Sequence, residues 1–410
     1  MVKAMTTPTT TRIRSLDGLR ALACLAVFCV HLQQATGLTG QLGPIDLKLL
    51  MSNGNTGVCL LLMLSAFLLS LPFWRRAKAQ ADPAGGLDRT QSGLRWVLGY
   101  AKRRILRIVP AYYLCLAALV LVGDFWRSDR GLAGVLLHAT FLHNMTEWSL
   151  YSISPPFWTL AVQVQFYVLF PVLILFVRPL MRARLVATGV LGLGAVAAYV
   201  GSYSVGAWAS SAGGNWPFDP SVVAPDGLVL SHTLLAHLPH FFIGMIAAGV
   251  YAGLEASDAR PTRPGTQALV ADVAFWGSLA AVAAVLSVDG LSQALRVPFG
   301  RYNLPYVPLL MAVMMVSAPL GRLAGAAMET LPLRMLGMIS YGFYIFHRPC
   351  MGVVSEVMRR AKLGVGDNAA LFAAASLVLA IVVSALSYKF VERPVLARLR
   401  RAGREHGTRQ

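Results

Sequence analysis

Apolar residues run through this chain in long unbroken stretches, each close to the ~20 residues that carry a helix across the hydrocarbon of a bilayer. They fall at about 17–34, 54–73, 106–123, 157–177, 184–205, 228–250, 267–288, 302–320, 335–356 and 369–390. Such runs are too long and continuous for barrel strands, which alternate in polarity. The pattern predicts an all-α, polytopic helical membrane protein with about ten transmembrane helices. Pro110, Pro305, Pro308 and Pro349 fall inside three of the runs, where membrane helices tolerate proline if neighbours satisfy the freed carbonyls. The apolar stretch 131–143 is short and reads as a partly buried or interfacial helix. The first ten residues are polar and lack a cleavage-site pattern, so the first run is expected to be retained as a span. No hydrophilic stretch is long enough for a second domain. The expected division is a cytoplasmic N-terminal segment 1–16, a membrane domain 17–392 and a basic cytoplasmic tail 393–410.

Polar residues inside those runs carry the chemical information. Arg20 and His31 both lie in the first, where an ionisable group is costly unless it faces protein or a water-filled cavity. His31 follows Arg20 by eleven positions, which puts both on nearly one helix face, about 16 Å apart along the axis. Gln163, His240 and His347 fall at comparable depths in the fourth, sixth and ninth runs, so the four helices can present one polar layer. Asp17, Arg20, Arg103, Arg104 and Arg107 form a second, charged layer near one membrane face. Gly18, Gly57, Gly244 and Gly249 are expected where helices approach closely. His138, His143, His232 and His237 fall between runs or at their edges and read as loop or interface residues. The histidines show no HxxxH or HExxH spacing, and no metal site is expected.

Composition agrees with the membrane reading. The chain has 410 residues, is 56% hydrophobic and 13% charged, and has a mean hydropathy of +0.60; soluble domains carry about 25% charged residues. A net charge of +18 raises nucleic acid as a partner, but its distribution excludes that reading. With the N-terminus inside, cytoplasmic segments hold 26 Lys/Arg and outer segments eight. That bias is the positive-inside pattern and implies that both termini are cytoplasmic. The basic tail fits a surface segment against anionic lipid. The five cysteines show neither metal nor disulfide spacing.

The two layers suggest a reaction. A histidine can take a proton from an alcohol near neutral pH, and arginines suit phosphates. A donor held by its phosphates at the inner face, with its reactive end about 15–20 Å inward along the helix, has the proportions of a coenzyme A thioester.

Several strings then give the chain a likeness. Arg14-Ser-Leu-Asp-Gly-Leu-Arg-Ala-Leu-Ala followed by His31, Gly57 to Phe67, Arg103-Arg-Ile-Leu-Arg-Ile-Val-Pro110, Phe157-Trp-Thr-Leu-Ala-Val-Gln-Val-Gln-Phe-Tyr to Pro171, Phe241-Phe-Ile-Gly-Met, Ser340-Tyr-Gly-Phe-Tyr-Ile-Phe-His347 and Phe390-Val-Glu-Arg-Pro394 occur in order. In this the chain resembles acyltransferase family 3, membrane proteins that O-acetylate bacterial surface polysaccharides, Nod factors and macrolides. The resemblance implies a cell-membrane enzyme that moves an acetyl or short acyl group from acetyl-CoA or another acyl-CoA to a hydroxyl. It implies His31 as the catalytic histidine and Arg20 as its partner, with Gln163 and His347 beside them. Arg103, Arg104, Arg107 and Arg20 would contact the donor, and Trp158, Tyr167, His240 and Tyr344 the substrates. Two positions depart from the family pattern: Gln163 stands where a glutamate is usual, and Cys59 replaces a common aspartate. Val164 resembles the antibiotic-modifying branch, and the chain ends soon after its last apolar run. Both favour a macrolide-like small molecule over a glycan as acceptor. The competing readings are a transporter or flippase, or a different group transfer or isomerisation enabled by Gln163.

Overall fold

The computed structural model describes residues 12–81, 93–123, 125–127, 130–211, 229–255, 264–294, 306–395 and 397. Residues 82–92 and 212–228 and nearly all of the expected tail 393–410 lie outside them. The chain opens with α1 (Ser15–Thr36), a two-residue-strand hairpin of β1 (Gln41–Leu42) and β2 (Ile45–Asp46), and α2 (Leu47–Ser52). Then come α3 (Thr56–Ala81), α4 (Gly93–Gly123), the short α5 (Gly131–Ala139) and α6 (Glu147–Leu150), and α7 (Phe157–Leu180). The second half holds α8 (Arg184–Ser211), α9 (Leu234–Glu255), α10 (Pro264–Ser287), α11 (Asp289–Ala294), α12 (Tyr306–Ser317) and α13 (Arg322–Met328). It closes with α14 (Leu331–Met338), α15 (Ser340–Arg360), α16 (Ala369–Ser387) and a π-helical turn, Tyr388–Glu392.

Each expected run became helix, and the protein is a multi-pass membrane protein. Among the described residues eight helices are long and apolar enough to cross, or nine if the bent pair α12–α13 is one span. That pair turns by 97°, and Asp272 of α10 explains where α13 begins. Its carboxylate accepts from the backbone N–H groups of Leu323 and Ala324 at 3.1 and 2.8 Å, satisfying the free donors of the new helix start. The remaining expected span, α15, carries His347, Arg348, Glu356, Arg359 and Arg360 and is too polar to qualify. One face of it, through Tyr344, His347, Met351 and Val354, is buried against protein, where a polar group such as His347 is sheltered from lipid; Val353 and Val357 lie on its exposed side.

The bundle closes tightly at its glycines. A Cβ on Gly57 would strike the carbonyl of Ala23, and one on Gly18 the carbonyl of Met328. Gly244 packs in the same way on Met63 of α3, and Gly249 lies against the Trp74 ring, whose Nε1 donates to the Met245 carbonyl at 3.0 Å. Backbones therefore meet without side chains between them, the usual route to close helix packing in lipid. The expected short helix is α5. The hydroxyls of Tyr112 and Tyr113 in α4 donate to the carbonyls of His138 and Ala139 at 2.9 and 2.6 Å, capping the end of α5.

Candidate active site

A cavity of about 450 Å³ is lined by residues of α1 and the segment before it, α3, α4, α7, α14, α15 and the π-turn. One end is strongly basic, with Arg12, Arg20, Arg75, Arg104 and Arg107 in its wall. Three of these have carboxylate partners. Asp17, almost fully buried, accepts from Arg12 Nε at 2.7 Å and Arg20 Nη1 at 3.0 Å. Arg75 forms a two-bond fork with Glu255 at 2.8 and 2.7 Å. Arg104 and Arg107 have no carboxylate partner among the described residues. Arg104 instead lies 5.8 and 5.6 Å from the ring centres of Tyr100 and Tyr167, a cation–π setting. Its Nε is buried without a hydrogen bond.

Gln163 projects from α7 at mid-cavity. Its Nε2 donates to Ser65 Oγ and to the Tyr167 hydroxyl, both at 2.7 Å. Ser65 spends its own proton on the Leu61 carbonyl at 2.9 Å, so the chain of bonds has a direction. Farther in, the hydroxyls of Thr159 and Tyr344 are 2.7 Å apart, and both reach the Pro156 carbonyl, at 2.9 and 3.3 Å.

His31 and His347 lie one helical turn beyond Tyr344 and do not line the cavity. Their rings stack with centroids 5.2 Å apart, joining α1 to α15. His347 Nδ1 faces the carbonyls of Tyr344 and Phe343 at 2.8 and 3.2 Å. A carbonyl only accepts, so that nitrogen carries the proton and Nε2 the lone pair. That Nε2 is buried and has no hydrogen bond. His31 Nδ1 pairs with Gln34 Oε1 at 3.0 Å, which likewise leaves Nε2 as the basic nitrogen. Phe28 packs near His347, centroids 6.5 Å apart.

The residues singled out in the sequence thus divide. Arg20, Arg104, Arg107, Gln163, Tyr167 and Tyr344 share the cavity, whereas Arg103 does not line it. His31 and His347 form the pair above. His240 and Trp158 belong to another cluster. His240 is beside His237, ring centroids 5.3 Å apart, and Trp158 packs on His237 and His232 at 5.1 and 4.3 Å. His138, His143, His232 and His237, read from the sequence as loop or interface residues, are all buried. Tyr151 bonds His232 Nε2 at 2.7 Å, and His138 stacks on His143 at 4.0 Å. Outside the spans, burial pushes the His138 imidazole down to about 4, and burial together with His138 takes His143 to about 3. Both are neutral structural groups at ordinary pH. The sequence reading passed over Ser65, Thr159, Tyr388 and Glu392, which line the cavity. Glu392 was visible as an acid within two residues of an apolar run; nothing in the sequence marked the other three.

A family model described as an acyltransferase domain matches residues 13–389. Peptidoglycan O-acetyltransferase OatA of Listeria monocytogenes is 25% identical over 405 residues, covering 93% of this chain and 56% of that protein. BcsY of Komagataeibacter xylinus, named as a membrane-bound transacylase, is 25% identical over 398 residues, covering 93% of this chain and 82% of its own. The chain therefore spans little more than half the length of the Listeria relative. No solved structure matches it.

Proposed function

Because this chain belongs to the acyltransferase family whose domain it matches over residues 13–389, we propose that it is a membrane O-acyltransferase using acyl-CoA. The transferred group is acetyl or a short acyl chain, and the acceptor is a hydroxyl on a macrolide-like small molecule or a glycan. The observation that carries this reading is the sequence of groups along one path. Guanidiniums without carboxylates, Arg104 and Arg107, stand at the basic end of the cavity, and paired imidazoles lie one turn beyond its inner end at Tyr344. The buried, unbonded Nε of Arg104 fits a phosphate, which supplies charge-assisted acceptors. The donor supplies an activated acyl carbonyl; the protein supplies orientation and a base.

In this mechanism His31 Nε2 takes the proton of the acceptor hydroxyl while that oxygen bonds to the acyl carbon. The carbon–sulfur bond breaks, and the imidazolium returns its proton to the leaving sulfur. Gln34 fixes the His31 tautomer, and His347, stacked on it, presents a second basic nitrogen to the same region. Arg20, tied to Asp17, holds the basic end in shape. Loss of a general base costs about 10²–10⁴ in rate. His31→Ala should therefore nearly abolish transfer from acetyl-CoA by detergent-purified protein, with coenzyme A binding retained. Wild-type rates in that variant would return His31 to a packing role.

A further inference from the structure

The π-helical turn after α16 delivers Tyr388 and Glu392 to the cavity wall. Such turns are rare, and they recur at functional sites because the wider turn re-aims side chains. Glu392 is only 6% exposed. Its Oε1 is wedged near Gly342, 3.3 Å from where a Cβ on that glycine would stand. That oxygen has no well-formed hydrogen bond; the Ser387 hydroxyl and, from beyond ion-pair distance, the Arg107 guanidinium are the groups that act on the carboxylate. Asp17 and Glu255 neutralise Arg12, Arg20 and Arg75, whereas Glu392 forms no ion pair among the described residues. A carboxylate kept buried with so few donors is costly. In a cavity suited to phosphates it also repels the ligand's own charge.

A ligand that offered only phosphate would gain nothing from this group. One that offers N–H and O–H donors beside its phosphates would satisfy both the arginines and the acid. We propose that Glu392 is a specificity residue of the donor site, accepting hydrogen bonds from the amide N–H and hydroxyl groups of the carrier arm next to the phosphates bound by Arg104 and Arg107. The repulsive element serves selection, since it penalises bare anions that the arginines alone would retain. This inference rests on the reading of the cavity as the acyl-CoA site.

The test is equilibrium binding of two probes, coenzyme A and inorganic pyrophosphate, to the full detergent-purified chain. Glu392→Met should weaken coenzyme A by about tenfold or more, the scale of a hydrogen bond to a charged group, and leave pyrophosphate unchanged or tighter. Glu392→Gln keeps an acceptor oxygen at the same reach and should hold coenzyme A near its wild-type affinity. Parallel weakening of both probes in Glu392→Met, with both normal in Glu392→Gln, would show that the side chain only shapes the cavity and would overturn the proposal. So would coenzyme A affinity unchanged in both variants. Failure of the wild-type protein to bind either probe would overturn the donor-site reading itself.

Discussion

Gln163 shows how a single side chain sets the direction of a network. It donates to Ser65, which has already given its proton to the Leu61 carbonyl. A carboxylate can only accept, so a glutamate here would meet a lone pair on Ser65, while Tyr167 could turn its proton toward it. Gln163→Glu should therefore lower stability by about 1–3 kcal/mol, the cost of a buried polar group left unsatisfied, and reduce transfer. Adding Ser65→Ala should recover most of the stability. Unfolding midpoints and transfer rates of the single and double variants measure both effects; faster transfer in Gln163→Glu would mean that the amide is a weakened form of a carboxylate site. The sequence exposed this residue, as it exposed Arg20 and His31, because a polar group in an apolar run stands out. It could not expose the Ser65 hydroxyl or the stacking of His31 on His347. Serine is unremarkable in a membrane helix, and no local pattern links α1 to α15.

At the level of elements, α4 shows what a misjudged boundary hides. The apolar run predicts a helix from about 106, after the basic stretch, and in that reading Arg103, Arg104 and Arg107 are equivalent. The helix in fact starts at Gly93, so helical periodicity applies to the arginines. Positions three apart share a face and adjacent ones do not. Arg104 and Arg107 accordingly line the cavity, and Arg103 does not. Arg104→Ala and Arg107→Ala should each raise the acyl-CoA KM by about tenfold, the worth of one charge-assisted bond, with smaller effects on kcat. Arg103→Ala should leave donor kinetics near wild type. Equal effects of all three would show that these charges act through orientation in the membrane and not through the donor. The same boundary logic explains α15: the sequence expects one run from 335, whereas the chain breaks at Ile339 between α14 and α15. Of the polar residues that spoil its apolarity, His347 is enclosed by the bundle, while Glu356, Arg359 and Arg360 pair with one another at its exposed end.

For the molecule as a whole, the polytopic helical class was legible because hydropathy reports length directly, and most helix ends followed to within several residues, the start of α4 being the large exception. The number of crossings was less so, since a bent pair and a polar helix both fall outside a rule built on length and apolarity. Sidedness still follows from charge. The bias of Lys/Arg predicts that the basic end of the cavity faces the cytoplasm. Impermeant thiol reagents applied to intact cells should therefore label cysteines introduced in 124–156 and 206–227, and spare those in 76–100. The opposite labelling would exchange the faces used by donor and acceptor. The glycine crossings carry one more consequence. α1 is clasped at Gly18 by Met328 and, across Ala23 and Ala26, by Gly57 and Gly54, while Gly337 presses on Asp17. The helix bearing both Arg20 and His31 is therefore held by backbone-to-backbone contact at four points along its length. If such contacts keep that wall rigid, opening between the cavity and the histidine pair would fall to side-chain rotation around Tyr344, and transfer rates measured in bilayers of different thickness should stay the same; rates that change with thickness would mean that α1 moves.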